Sequence, residues 1–200
     1  MNHKKSIKIA SFILVIIVIL ISIHFYKKGS ILSPKYGEAI DSLNHIKVYY
    51  NGRISNVNGR NLSKDKYDIG LKYQCVEFVK RYYYEFYNHK MPNSYGHAFQ
   101  FFDSNLVDNS YNSERDLFQY QNPSKHKPQV GDLVVYSGHS GKCFGHVSIV
   151  AMVEDNSIEI IQQNTGVFGR TRAEYKILNN NGLYYIDNPR ILGFLRKEKR

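Results

Sequence analysis

The chain has 200 residues, 42% hydrophobic and 22% charged, a balance that excludes a disordered or fibrous protein. Its two cysteines, Cys75 and Cys143, exclude a disulfide-stapled scaffold and a four-cysteine zinc module. The net charge of +10 suggests a polyanion partner until it is split by position. Residues 1–30 hold five lysines and no acid, residues 196–200 are net +3, and residues 31–195 carry 18 basic against 16 acidic groups. A nearly neutral body excludes a dedicated nucleic-acid binder, and no nucleic-acid partner is expected.

From the N-terminus, the run Ile7–Tyr26 holds one lysine, Lys8, and one histidine, His24; its core Phe12–Ile21 is apolar all round, and Ile9–Ile23 holds no ionisable side chain. A helix of this composition is expected to span a membrane. No small-residue cleavage site follows it, so residues 1–30 are read as an uncleaved signal anchor. Lys4, Lys5, Lys8 and the amino terminus outweigh Lys27 and Lys28. That predicts a single-pass membrane protein with the N-terminus cytoplasmic and the catalytic domain extracytoplasmic. Residues 31–45 read as a linker, 46–195 as the domain and 196–200 as a basic tail.

Within the domain, Ile46–Tyr50 alternates as a strand, and Asn51-Gly52 predicts a tight turn into a partner over Arg53–Val57. Residues 58–70 are polar and read as a loop. Cys75–Asn88 has the clearest helical spacing, with Lys80, Arg81 and Glu85 on the side away from the apolar stripe. A shorter helix is expected over His97–Phe102, and residues 103–127 read as a long loop. Leu133–Tyr136, His146–Val153, Ser157–Gln162, Gly182–Ile186 and Arg190–Leu195 then read as strands of an antiparallel meander. Helices first and strands afterwards predict an α+β fold.

Three side chains suggest chemistry. Cys75 opens the strongest helix, where backbone N–H groups and the helix dipole are expected to lower a thiol pKa. His146 follows a glycine loop at the start of a strand. Gln162, sixteen residues on, lies near the end of the paired strand. A cysteine, a histidine and a polar group orienting the imidazole suit covalent acyl transfer. Spacing alone leaves open a small buried hydrophobe at Cys75 and a loop histidine at 146. It also leaves open a Cys75–Cys143 disulfide. His139, Cys143 and His146 lack a clear fourth ligand, so no metal and no cofactor are expected.

The segments Tyr73-Gln74-Cys75-Val76-Glu77-Phe78, Val130-Gly131-Asp132-Leu133-Val134, Phe144-Gly145-His146-Val147-Ser148-Ile149-Val150 and Ile160-Ile161-Gln162-Gln163-Asn164 together resemble the CHAP family. Its members are cysteine- and histidine-dependent amidohydrolases/peptidases. The likeness runs over about residues 45–195. It is nearest to a glutathionylspermidine amidase-like subgroup, through Gln74–Phe78 and the Ile191-Leu192-Gly193-Phe194 strand. The resemblance implies a papain-like domain with N-terminal helices packed on an antiparallel sheet. It implies Cys75 as nucleophile, His146 as general base and Gln162 at a position where the family often has Glu. A neutral amide orients an imidazole but stabilises imidazolium less than a carboxylate does, so a narrowed active pH window is expected. Gln74 is assigned to the oxyanion, and Asn164 and Lys80 to substrate contacts. The expected substrate is an amide in peptidoglycan peptides, with a glutathionylspermidine-like small amide as alternative and a non-catalytic binding module as a second.

Overall fold

The computed structural model describes residues 3–32, 34–139 and 143–198. The chain divides into two compact units, Met1–Lys35 and Tyr36–Arg200. The first is the helix α1 (His3–Leu32). The expectation of a membrane span is corrected: among the described residues no helix is long and apolar enough to cross a membrane. The physical reason is length. The stretch free of ionisable side chains, Ile9–Ile23, amounts to about 22 Å of helix at 1.5 Å per residue, against an apolar bilayer core of about 30 Å. The anchor over residues 7–26 and the single-pass topology with an extracytoplasmic catalytic domain fall together.

The second unit is built on an eight-stranded antiparallel sheet. Its strands are β5 (Ser110–Asn112), β6 (Leu117–Gln121), β7 (Leu133–Tyr136), β8 (His146–Val153), β9 (Ser157–Ile161), β10 (Arg172–Asn180), β11 (Leu183–Ile186) and β12 (Ile191–Arg196), in the order β11-β10-β9-β8-β7-β12-β6-β5. Just beyond β6, Ser124 exchanges backbone hydrogen bonds with Tyr184 of β11, at 3.0 and 2.7 Å. This bridge joins the two flanks of the sheet at one point. Two hairpins lie outside it: β1 (Ala39–Leu43) with β2 (Ile46–Tyr49), and β3 (Arg60–Leu62) with β4 (Asp68–Leu71).

Alternation along the strands splits the core in two. Leu133, Val135, Val147, Ile149, Ile161 and Leu195 pack with Phe78, Val79, Tyr82 and Tyr83 of α2 (Cys75–Tyr87). Val134, Tyr136, Val150, Ile158, Ile160, Ile177 and Phe194 form the second cluster. Helix α2 ends where Asn88 turns left-handed at φ 48° and His89 N–H returns to the Tyr83 carbonyl.

The expected α+β layout, papain-like with N-terminal helices packed on the sheet, is corrected. The described chain is mostly sheet, with α1, α2 and a single 3-10 turn (Ala98–Phe101) where the second domain helix is expected. The segments read as loops, 58–70 and 103–127, contain β3, β4, β5 and β6. These strands are three to five residues long, and several inward positions are polar. Asn112 and Gln119 are buried but hydrogen-bonded to each other at 3.0 Å, so burial is tolerated without an apolar signal. The strand expected over Arg53–Val57 is absent. The hairpin lies one step earlier, with Asn44 and His45 both at positive φ in the turn.

Candidate active site

Helix α2 begins at Cys75 after Gln74, which is extended at φ −83° and ψ 160° and makes no side-chain cap. The backbone N–H groups of Val147, Val76 and Cys75 itself favour the ionised form of the half-buried Cys75 thiol. Burial outweighs these donors and pushes the thiol up to about 11, correcting the expectation that a helix start lowers it. Exposed Cys143 is therefore expected to react with iodoacetamide well before Cys75 at pH 7.5, by tenfold or more. Peptide mapping after timed alkylation checks this; equal rates would contradict it. Both cysteines are free thiols.

His146 opens β8 opposite Tyr136 of β7. Gly145 makes this entry possible: its φ is 71°, and a Cβ there would sit 2.5 Å from the Tyr136 carbonyl oxygen and 2.8 Å from the Phe99 Cβ. The ring Nε2 lies 2.8 Å from Gln162 Oε1. Gln162 Nε2 donates to the Arg170 carbonyl at 3.1 Å, which fixes the amide with its oxygen toward the ring. His146 Nε2 is accordingly the N–H donor, and in the neutral imidazole the lone pair falls on Nδ1.

The structure joins Gln162 to His146 and Asn164 to Gln74, while Cys75 is within reach of the backbone of Val147, the residue after His146. Asn164, left-handed at φ 64°, donates to Gln74 Oε1, and Gln74 Nε2 donates to the Asn56 carbonyl at 2.7 Å. Asn164 also accepts from Asn51 Nδ2 at 2.8 Å and donates to the Ile54 carbonyl at 3.2 Å. Both amides thus hold loop 51–57 beside the start of α2. Lys80 is not brought to the group. Its buried ammonium donates to the carbonyls of Asp68 and Ser94 and lies 4.9 Å from the centre of the Tyr67 ring. Burial pushes it down to about 8.

Sequence reasoning missed Gln163 and Glu77. Gln163 is 1% exposed and uses its whole amide: Oε1 accepts the Tyr49 N–H at 2.7 Å, and Nε2 donates to the Gln74 carbonyl at 3.0 Å and to Glu77 Oε2 at 2.9 Å. Glu77, also buried, accepts from Asn61 at 2.9 Å and pairs with Arg81 at 2.6 Å. The i,i+4 spacing of Glu77 and Arg81 was the available signal. It reads as a solvent-facing pair because β2 and β4, which cover that side of α2, are weak in the sequence. Among the described residues, no group of His, Cys, Asp and Glu side chains could hold a metal ion.

The family model of the CHAP domain matches residues 66–164, a stretch that includes Cys75, His146 and Gln162. Trypanothione synthetase of Crithidia fasciculata is 27% identical over 146 residues, covering 71% of this chain and 22% of the relative. The bifunctional glutathionylspermidine synthetase/amidases of Escherichia coli and Shigella flexneri are each 27% identical over 147 residues, covering 68% of this chain and 23% of theirs. The chain spans less than a quarter of the length of these curated relatives. The crystal structure of Ly7917 aligns with a TM-score of 0.37 and 17% identity, covering 62% of this chain and 53% of that one.

Proposed function

We propose that this chain, which belongs to the CHAP domain family through residues 66–164, is a cysteine amidase acting on small amides of the glutathionylspermidine type. The observation that carries the reading is His146, held by Gln162 at 2.8 Å and followed directly by Val147, whose backbone N–H favours the Cys75 thiolate. The amidase named in two of the relatives supports the substrate class. Peptidoglycan peptides, expected from the membrane anchor and from the family's commonest role, lose the first of these supports with the anchor.

Burial favours the protonated Cys75 thiol, so a base must take its proton during attack. His146 takes the Cys75 proton as the sulfur attacks the amide carbonyl. Backbone N–H groups at the start of α2 stabilise the oxyanion. The imidazolium then protonates the leaving amine, which departs and leaves a thioester. Water, deprotonated by His146, hydrolyses the thioester and restores the thiol. Gln162 keeps the ring in the required tautomer throughout.

The segments bordering the site, residues 51–59, 72–76, 94–102, 143–146 and 162–173, contain no Asp or Glu, and Arg53, Lys72 and Arg170 on them are exposed. That charge supports a substrate with a carboxylate on its acyl side.

Purified protein incubated with glutathionylspermidine is expected to release spermidine; no release at micromolar enzyme would overturn the substrate assignment. Gln162→Glu is expected to stabilise the imidazolium and move the His146 limb of the pH–rate profile upward by about one unit or more. A superimposable profile would show that Gln162 does not govern the base.

A further inference from the structure

We infer that Gln163 is a positioning residue that holds the nucleophile in register with its base, an inference that rests on the assignment of Cys75 and His146. Gln162 and Gln163 are consecutive, just past the end of β9, and their amides reach different partners. The first reaches His146 and the second reaches the start of α2. One dipeptide therefore holds both partners of the reaction.

The hold on α2 falls at a particular atom. The Gln74 carbonyl, immediately before Cys75, accepts the first intrahelical bond from Phe78 N–H at 3.1 Å and the Gln163 amide at 3.0 Å. Gln74 lacks a side-chain cap of its own, and while Asn164 holds its side chain, Gln163 is the residue past β9 that holds its backbone carbonyl at the start of the helix. Its other bonds fix Gln163 in turn. The Tyr49 N–H belongs to β2, and the Glu77 carboxylate is itself held by Asn61 and Arg81. The amide is 1% exposed with one acceptor and two donor contacts, a geometry that a residue merely filling space does not need. Catalysis is sensitive to misplacement of about 1 Å, and a loosened helix start would displace the Cys75 sulfur from His146 by that order.

The test is a double-mutant cycle on acylation of Cys75 by 4-nitrophenyl acetate, followed by nitrophenolate release and by mass mapping of the acetylated peptide. Wild type, His146→Ala, Gln163→Met and the double variant are compared. Gln163→Met is expected to slow acylation about tenfold when His146 is present and to have no further effect when His146 is absent. Equal losses in both backgrounds, or a wild-type rate in folded Gln163→Met, would overturn the inference. If His146→Ala acylates Cys75 as fast as wild type, the assignment of the base fails instead, so the two failures are distinct. Should Gln163→Met not fold, the exchange Gln163→Glu with Glu77→Gln keeps an acceptor for Tyr49 and a hydrogen bond between positions 163 and 77. It removes the donor to the Gln74 carbonyl and moves the carboxylate that faces Arg81 from position 77 to 163, so thermal melting is recorded alongside the rates. The same His146-dependent tenfold loss is expected there, and full activity would overturn the inference.

Discussion

Replacing Cys75 by Ala is expected to lower hydrolysis of glutathionylspermidine by about 10⁴-fold or more, and His146→Ala by a similar factor. The two losses should not add, because nucleophile and base act as a unit: without the base, a thiol pushed up to about 11 holds almost no thiolate at neutral pH. Steady-state release of spermidine measures all three variants. A double variant much slower than either single one would mean that the residues contribute separately. Neither side chain supports the core as Phe78 or Tyr83 does, so thermal melting should change little.

The largest stability effect is expected at Asp132, in the Val130–Val134 segment that resembles the family. Its 2%-exposed carboxylate accepts two bonds from Arg196 of β12, at 2.9 and 2.7 Å, and the Gln129 N–H at 2.7 Å. Arg196 also donates to the Lys127 carbonyl and lies over the Tyr120 and Phe194 rings. Asp132→Ala leaves that guanidinium without its anion in a mostly buried place and is expected to cost about 3–5 kcal/mol. Chemical denaturation measures it. Adding Arg196→Met should recover part of the loss; no recovery would assign the cost to the Gln129 turn instead. The neighbouring Gly131 is needed on separate grounds, since at φ 92° its Cβ would fall 1.9 Å from the Tyr87 hydroxyl.

Elements whose burial is apolar were legible in the sequence. The periodicity of Cys75–Asn88 located α2 to within a residue, and β7, β8, β9 and β12 followed from their Val, Ile and Leu content. The contact between His146 and Gln162 was legible because a glycine-led strand start and its hairpin partner leave little freedom in where they meet. The short polar strands β3 to β6 were not, because Asn and Gln side chains paired inside the fold carry no hydrophobic signal. The same gap hid the burial of Lys80 and Arg81: charges on the back of α2 read as solvent-facing until β2 and β4 are placed over them. Arg196, grouped with the basic tail by composition, instead closes β12. The thiol was misjudged for a related reason. Helix position is visible in a sequence, whereas the desolvation that overrides it depends on what covers the sulfur.

The central claim is that an acyl group passes through the Cys75 sulfur. Rapid acid quenching of the full chain with glutathionylspermidine, followed by peptide mapping, tests it directly. The account predicts a glutathionyl thioester on the Cys75 peptide, formed as spermidine is released and absent from Cys75→Ala, which releases none. Spermidine release at the wild-type rate by Cys75→Ala, or an acyl group carried on any other residue, would contradict it.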